Sequence, residues 1–198
     1  MGDVTTVMLA GVGGQGTILA ADVLAKTALA AGLDVKLSEV HGMAQRGGSV
    51  DTVVRFGDKV ASPVTNLGCA DHLVAFEMIE AARQLPYLRQ GGRLLVNSRI
   101  MDPLPVLIGD LPAPSGVEEA LVAEGAVFID AEQLACEAGS PKSANVVLLG
   151  ALSTGLAFSQ ELWAEVIGGR VPPASLEFNL RAFELGRRAC GEGGACLV

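Results

Sequence analysis

Two glycine-rich stretches hold the residues best suited to chemistry: Gly11-Val12-Gly13-Gly14-Gln15-Gly16, and His41-Gly42-Met43-Ala44-Gln45-Arg46-Gly47-Gly48-Ser49. In the first, glycines let backbone N–H groups approach an anion, and a helix opening at Thr17 aims its positive end at the same spot. The spacing Gly11-x-Gly13-x-x-Gly16 after an apolar run fits a dinucleotide fingerprint, with Glu39 placed to grip a ribose. Gly14 and Gln15 crowd such a pyrophosphate turn, and the same glycines also suit a plain tight strand–helix turn. In the second stretch Arg46 offers a cation, Gly47 and Gly48 a permissive backbone and Ser49 a hydroxyl. That set suits a carboxylate, a phosphate or a pantetheine amide. A surface turn with a solvated arginine is the alternative.

Lys142 and Asn145 stand three apart at the start of an apolar helix, on one face near its positive end. They suit an anion or a partner's backbone, or simply a solvated helix start. His41 has the chemistry to titrate near neutrality, but both His41 and His72 are read as structural. No Ser-His-Asp arrangement, metal-ligand cluster or paired carboxylates can be written. The chain is therefore not expected to carry a reaction by itself.

The elements that must position these residues follow from periodicity and punctuation. Residues 4–10 predict a strand, 17–31 a helix ended by Gly32, and 34–37 a second strand, together a right-handed βαβ unit. Residues 38–50 read as a functional loop leading to a strand at 51–56. Gly57-Asp58 is a turn signal, with 59–61 as a hairpin return. A strand at 71–76, a helix at 78–88 containing Pro86 and ended by Gly91-Gly92, and a strand at 93–97 come next. Pro103, Pro105, Pro112 and Pro114 leave room for a short strand at 106–108. Then come a helix at 117–124, a strand at 126–130 and a helix at 131–138. Ser140 as N-cap and Pro141 open a helix at 142–157, followed by helices at 160–168 and 174–189. The expected class is α/β: one three-layer α/β/α domain over 1–198, with a Rossmann-like βαβ start and a helical C-terminal segment.

Half of the 198 residues are hydrophobic, enough for a real core. Only 18% are charged, below the usual quarter, which hints at a large partner interface. A net charge of −8, with no basic run longer than Arg187-Arg188, argues against a nucleic-acid partner. Asp3 close to the start argues against a secretory leader. The longest uncharged apolar stretch, 144–158, contains Asn145, Ser153 and Thr154 and is too short to span a bilayer, so no membrane partner is expected. Cys69, Cys136, Cys190 and Cys196 form no CxxC, so neither an iron–sulfur nor a zinc ligand set emerges, and reduced thiols of a cytoplasmic protein are expected.

Taken in order, Gly11-Val12-Gly13-Gly14-Gln15-Gly16, Arg46-Gly47-Gly48-Ser49-Val50 and Lys142-x-x-Asn145-x-x-x-Leu149-Gly150-Ala151 resemble the gamma-type domain of 2-oxoacid:ferredoxin oxidoreductases. The form His41-Gly42-Met43-Ala44-Gln45-Arg46-Gly47-Gly48 looks most like the branch acting on indolepyruvate. The resemblance spans about residues 4–185. It implies one subunit of a heterodimer that decarboxylates an aryl 2-oxoacid oxidatively to an acyl-CoA and passes electrons to ferredoxin. Thiamine diphosphate and iron–sulfur clusters would sit in a larger alpha subunit, with CoA as co-substrate and no cofactor held by this chain. Gly13, Gly14, Gln15, Gly16, Arg46, Gly47, Gly48, Ser49, Lys142 and Asn145 are then the residues expected to meet CoA or the partner. A stand-alone Rossmann-like dinucleotide-binding or redox-sensing protein is the other reading, favoured by Glu39 and the glycine spacing.

Overall fold

The structure, a computed structural model, describes residues 4–42 and 47–191. Its centre is β1 (Thr5–Val12), where Val7, Met8, Leu9 and Ala10 are all buried. A strand covered on both faces reads as a continuous apolar run, as this one does. The chain continues through α1 (Thr17–Ala30), β2 (Asp34–His41), β3 (Ser49–Gly57), β4 (Ala70–Ala75), α2 (Met78–Gln84) and β5 (Leu88–Asn97). It ends through α3 (Leu104–Leu107), α4 (Val117–Ala123), β6 (Val127–Ile129), α5 (Ala131–Ala138), α6 (Ala144–Ser153), α7 (Gln160–Gly168) and α8 (Leu176–Ala189).

The sheet order is β2-β3-β1-β4-β5-β6. β4 lies parallel to β1, β5 to β4 and β6 to β5, while β3 runs against both β1 and β2. Alternation along β1 divides the core. Val7 and Leu9 pack with α1, α5, α6, α7 and α8, whereas Met8 and Ala10 pack with α2 and Leu121 of α4. The three-layer α/β/α architecture and the helical C-terminal segment are as expected, with one layer much thicker than the other.

Several local expectations are corrected. The βαβ start is split: β1 and β2 point the same way, but β3 lies between them. The stretch 38–50 is mostly the β2–β3 hairpin, because ladder pairs Glu39↔Thr52 and His41↔Val50 carry both strands past the polar residues. Residues 59–61 form no strand; the Val60 N–H donates instead to Asp34 Oδ2 at 2.8 Å. Pro86 turns the end of α2 into a short 3-10 turn, Leu85–Tyr87, so Gly91 and Gly92 lie inside β5 rather than ending a helix. Residues 106–108 are not a strand, because Pro105 fixes the first turn of α3. Pro141–Ser143 is a separate 3-10 turn ahead of α6, and the Ser140 hydroxyl makes no cap bond.

α6 and α8 cross at backbone contact, since a Cβ on Gly150 would overlap the Phe183 carbonyl and one on Gly186 the Val147 carbonyl. Arg187 ties the same pair by donating from Nη1 to Ser153 Oγ at 2.7 Å. Gly186→Ala must force these helices apart and is expected to cost about 3 kcal/mol in urea unfolding; a loss under about 0.5 kcal/mol would contradict the close crossing.

Candidate functional site

The glycine loop after β1, the start of β3 and the turn after β4 meet at the carboxyl ends of β1 and β4. Chain connections leave β1 and β4 on opposite faces there, which in open α/β sheets opens a crevice. Gly13 N–H donates to the Gly48 carbonyl at 2.8 Å, and Gly47 N–H faces the Gly13 carbonyl at 3.5 Å. The two glycine stretches read from the sequence are thus stitched into one structure. Met43, Ala44, Gln45 and Arg46 lie outside the described residues, so Arg46 has no placement here.

Gln15 folds back within the loop: Oε1 accepts from Val12 N–H at 2.8 Å and Nε2 donates to Met101 Sδ at 3.2 Å. Its own N–H donates to the Val12 carbonyl at 3.1 Å. Gly16, with φ +84°, is the residue before α1 and abuts Asn145, whose Nδ2 donates to the Gly16 carbonyl at 3.3 Å. Asn145 is buried and accepts from Val146 N–H at 3.0 Å, so its amide clamps the glycine loop to α6. Lys142 sits on the preceding turn and is exposed; it does not share Asn145's contacts.

On the α1 face, Gly13, Gly14, Gly16, Thr17 and Ile18 wall a cleft of about 800 Å³ completed by Glu39, His41, Val50, Asp22 and Arg170. Its size admits a nucleotide or a pantetheine arm. Its electrostatics are less accommodating. Among the described lining residues the one guanidinium, Arg170, is paired with Asp22, and Glu39 adds a second carboxylate 3.9 Å from the His41 ring. With β3 inserted, Glu39 stands two strand spacings from β1, roughly 10 Å instead of about 5 Å.

Ser49 turns to the opposite face, where its hydroxyl donates to Glu80 Oε2 of α2 at 2.6 Å. Glu80 is buried and pairs with Arg83 at 3.0 Å. Asp51, two residues along β3, accepts from Gln84 Nε2 at 2.8 Å, while its Oδ1 is buried without a partner. Burial, reinforced by the Glu80 carboxylate, pushes Asp51 up to about 6. Glu77 caps α2 by accepting from Ile79 and Glu80 N–H, and burial raises it too, against those bonds and one from Met101 N–H. Sequence reasoning missed this carboxylate group; the pair Glu77 and Glu80 astride a helix start after a strand was the available clue.

Asp51 prefers its neutral form in the fold, so its contribution is full below about 3.8 and is lost as pH rises through about 6. Asp51→Asn is expected to gain about 1–2 kcal/mol on wild type between pH 4 and pH 7. Urea unfolding of both proteins at the two pH values checks this; an equal difference at both would show that Asp51 titrates as an ordinary carboxylate.

Against this geometry stand the comparisons. The family profile described as pyruvate ferredoxin/flavodoxin oxidoreductase matches residues 6–189. Indolepyruvate oxidoreductase subunit IorB of Thermococcus kodakarensis is 44% identical over 193 residues, covering 94% of this chain and 96% of that protein. The keto/oxoacid ferredoxin oxidoreductase gamma subunit of Geobacter sulfurreducens superimposes with a TM-score of 0.69 at 27% identity, covering 93% of this chain and 96% of that one. The 2-oxoglutarate:ferredoxin oxidoreductase of Magnetococcus marinus, solved with 2-oxoglutarate, coenzyme A and succinyl-CoA bound, gives a TM-score of 0.68 at 26% identity. It covers 93% of this chain but only 30% of that longer one, so there the same fold is one part of a larger polypeptide. From residue 6 to residue 189, then, this chain belongs to the pyruvate ferredoxin/flavodoxin oxidoreductase family.

Proposed function

We propose that this chain is the smaller subunit of a ferredoxin-dependent 2-oxoacid oxidoreductase whose substrate is an aryl pyruvate such as indolepyruvate. The observation that carries the reading is the near full-length, 44% identity with an indolepyruvate oxidoreductase subunit. Its partner is a larger alpha subunit holding thiamine diphosphate and the iron–sulfur clusters, with ferredoxin served through the complex and the whole located in the cytoplasm. Among the described residues no group of three or more His, Cys, Asp or Glu could hold a metal ion, and no helix is long and apolar enough to cross a membrane.

CoA is the co-substrate we assign to the enzyme, and the cleft beside Gly13, Gly14 and Gly16 is where this chain would meet its pantetheine arm or diphosphate. The loop N–H groups of Gly13 and Gln15 are already engaged, so the cation for such a diphosphate would come from Arg46, which precedes Gly47 in the sequence. The stand-alone dinucleotide reading keeps only the glycine spacing in its favour. Glu39 is separated from β1 by a whole strand, and the loop is closed from within.

Purified from its host as a complex, the enzyme is expected to be brown and to reduce a viologen with kcat/KM at least about tenfold higher for indolepyruvate than for 2-oxoglutarate, a difference of about 1.4 kcal/mol. The reverse preference would reassign the substrate. In the same complex Arg46→Ala is expected to raise KM for CoA by about tenfold with the subunits still together; an unchanged KM would remove Arg46 from the CoA site.

A further inference from the structure

Between β5 and α4 the chain leaves the sheet as a strap, residues 98–116, rooted at the candidate site and then turned largely outward. The root is firm: Ser98 N–H donates to the Ile129 carbonyl at 2.8 Å, Met78 N–H to the Arg99 carbonyl at 2.8 Å, and Met101 Sδ accepts from Gln15. Beyond it, Ile100, Leu104, Leu107, Ile108 and Leu111 are between 53% and 69% exposed, and α3 within the strap buries nothing. The strap is nonetheless ordered by its own backbone, with Asp110 and Leu111 N–H both donating to the Pro105 carbonyl at 2.8 and 3.1 Å. Four prolines stiffen it further. A preformed apolar surface loses little conformational freedom on binding.

Five such side chains in one segment present on the order of 500 Å² of apolar surface, a size at which patches on monomers are commonly functional. That is more than half of the ~800 Å² each partner contributes to a specific interface. The choice of occupant follows from charge. Asp102, Asp110, Glu118 and Glu119 rim the strap and are exposed, whereas Arg99 is paired with Glu132 at 3.0 Å. A second copy would set acidic rim against acidic rim between two bodies each carrying −8.

We infer that the 98–116 strap is the docking surface for the larger subunit of the enzyme, which meets it with an apolar groove edged by lysine or arginine. The inference rests on the subunit reading above and adds where the contact lies: beside Gln15 and Glu77, so docking there would cover the carboxyl edge of the sheet. That the Magnetococcus marinus relative carries this fold within a chain more than three times as long agrees with a neighbour being seated on one of its faces.

The test is co-expression of the tagged chain with the larger subunit of the same enzyme, comparing wild type, Leu107→Asp/Ile108→Asp and the control Val64→Asp. Val64 is equally exposed but lies between β3 and β4, at the amino edge of β1. The strap variant is expected to retain less than a tenth of the wild-type yield of complex while melting at the wild-type temperature when isolated, and the control to assemble normally. Full assembly by the strap variant overturns the docking surface while leaving the subunit reading intact. Failure of the wild type to assemble overturns the subunit reading itself. A wild-type chain that forms a dimer alone, dissociated by the strap substitutions, makes a second copy the occupant and overturns the inference.

Discussion

Everything at the carboxyl edge depends on how the glycine loop satisfies its own backbone. Buried or half-buried N–H groups must find acceptors, and here Gly13 finds the Gly48 carbonyl while Val12 finds the Gln15 side chain. The first bond joins the end of β1 to the segment entering β3, and the second closes the loop from which α1 leaves. The Asn145 amide then locks the same loop to α6, so helices distant in sequence are referred to one short turn. Glycine at 16 is required twice over, by its positive φ and by the Asn145 amide pressed against it.

The insertion of β3 is the second constraint. A βαβ unit with adjacent strands places the ribose-binding acid beside the phosphate turn. Here β3 runs antiparallel to β2 and takes the place next to β1. The acid is moved one strand outward, and the ladder carries Gly47 and Gly48 to the glycine loop in its stead. A fold that begins like a nucleotide-binding domain is thereby converted into one whose glycine loop is bonded to Gly47 and Gly48 ahead of β3. Ser49 is diverted to the opposite face, into a cluster of buried carboxylates.

Much of this was legible in the sequence, for physical reasons. Strands buried on both faces announce themselves as apolar runs, α1 as an alanine-rich run after the glycines, and α5, α7 and α8 have helical periodicity or caps; the glycine loop and the layer order followed. The β2–β3 hairpin was not legible past Leu37, because Ser38, Glu39 and His41 lie on an edge strand whose pairing is set by β3 and not by burial. Residues 106–108 read as strand because Val106, Leu107 and Ile108 favour one, whereas Pro105 sets a helical turn over Leu104–Leu107. Of the site, both glycine stretches stand out in the sequence while their contact through Gly13 and Gly48 does not, and nothing local tells Ser49 from a cleft residue; its face is decided by register against β1, where it pairs with Val12.

Under the proposed function this chain is active only as part of a larger enzyme. Indolepyruvate-dependent viologen reduction should be followed for the isolated chain, for the larger subunit alone, and for the two mixed with CoA. Turnover in the mixture, with neither part active by itself, is the predicted result. Full turnover by the larger subunit alone, or any by this chain alone, would contradict it.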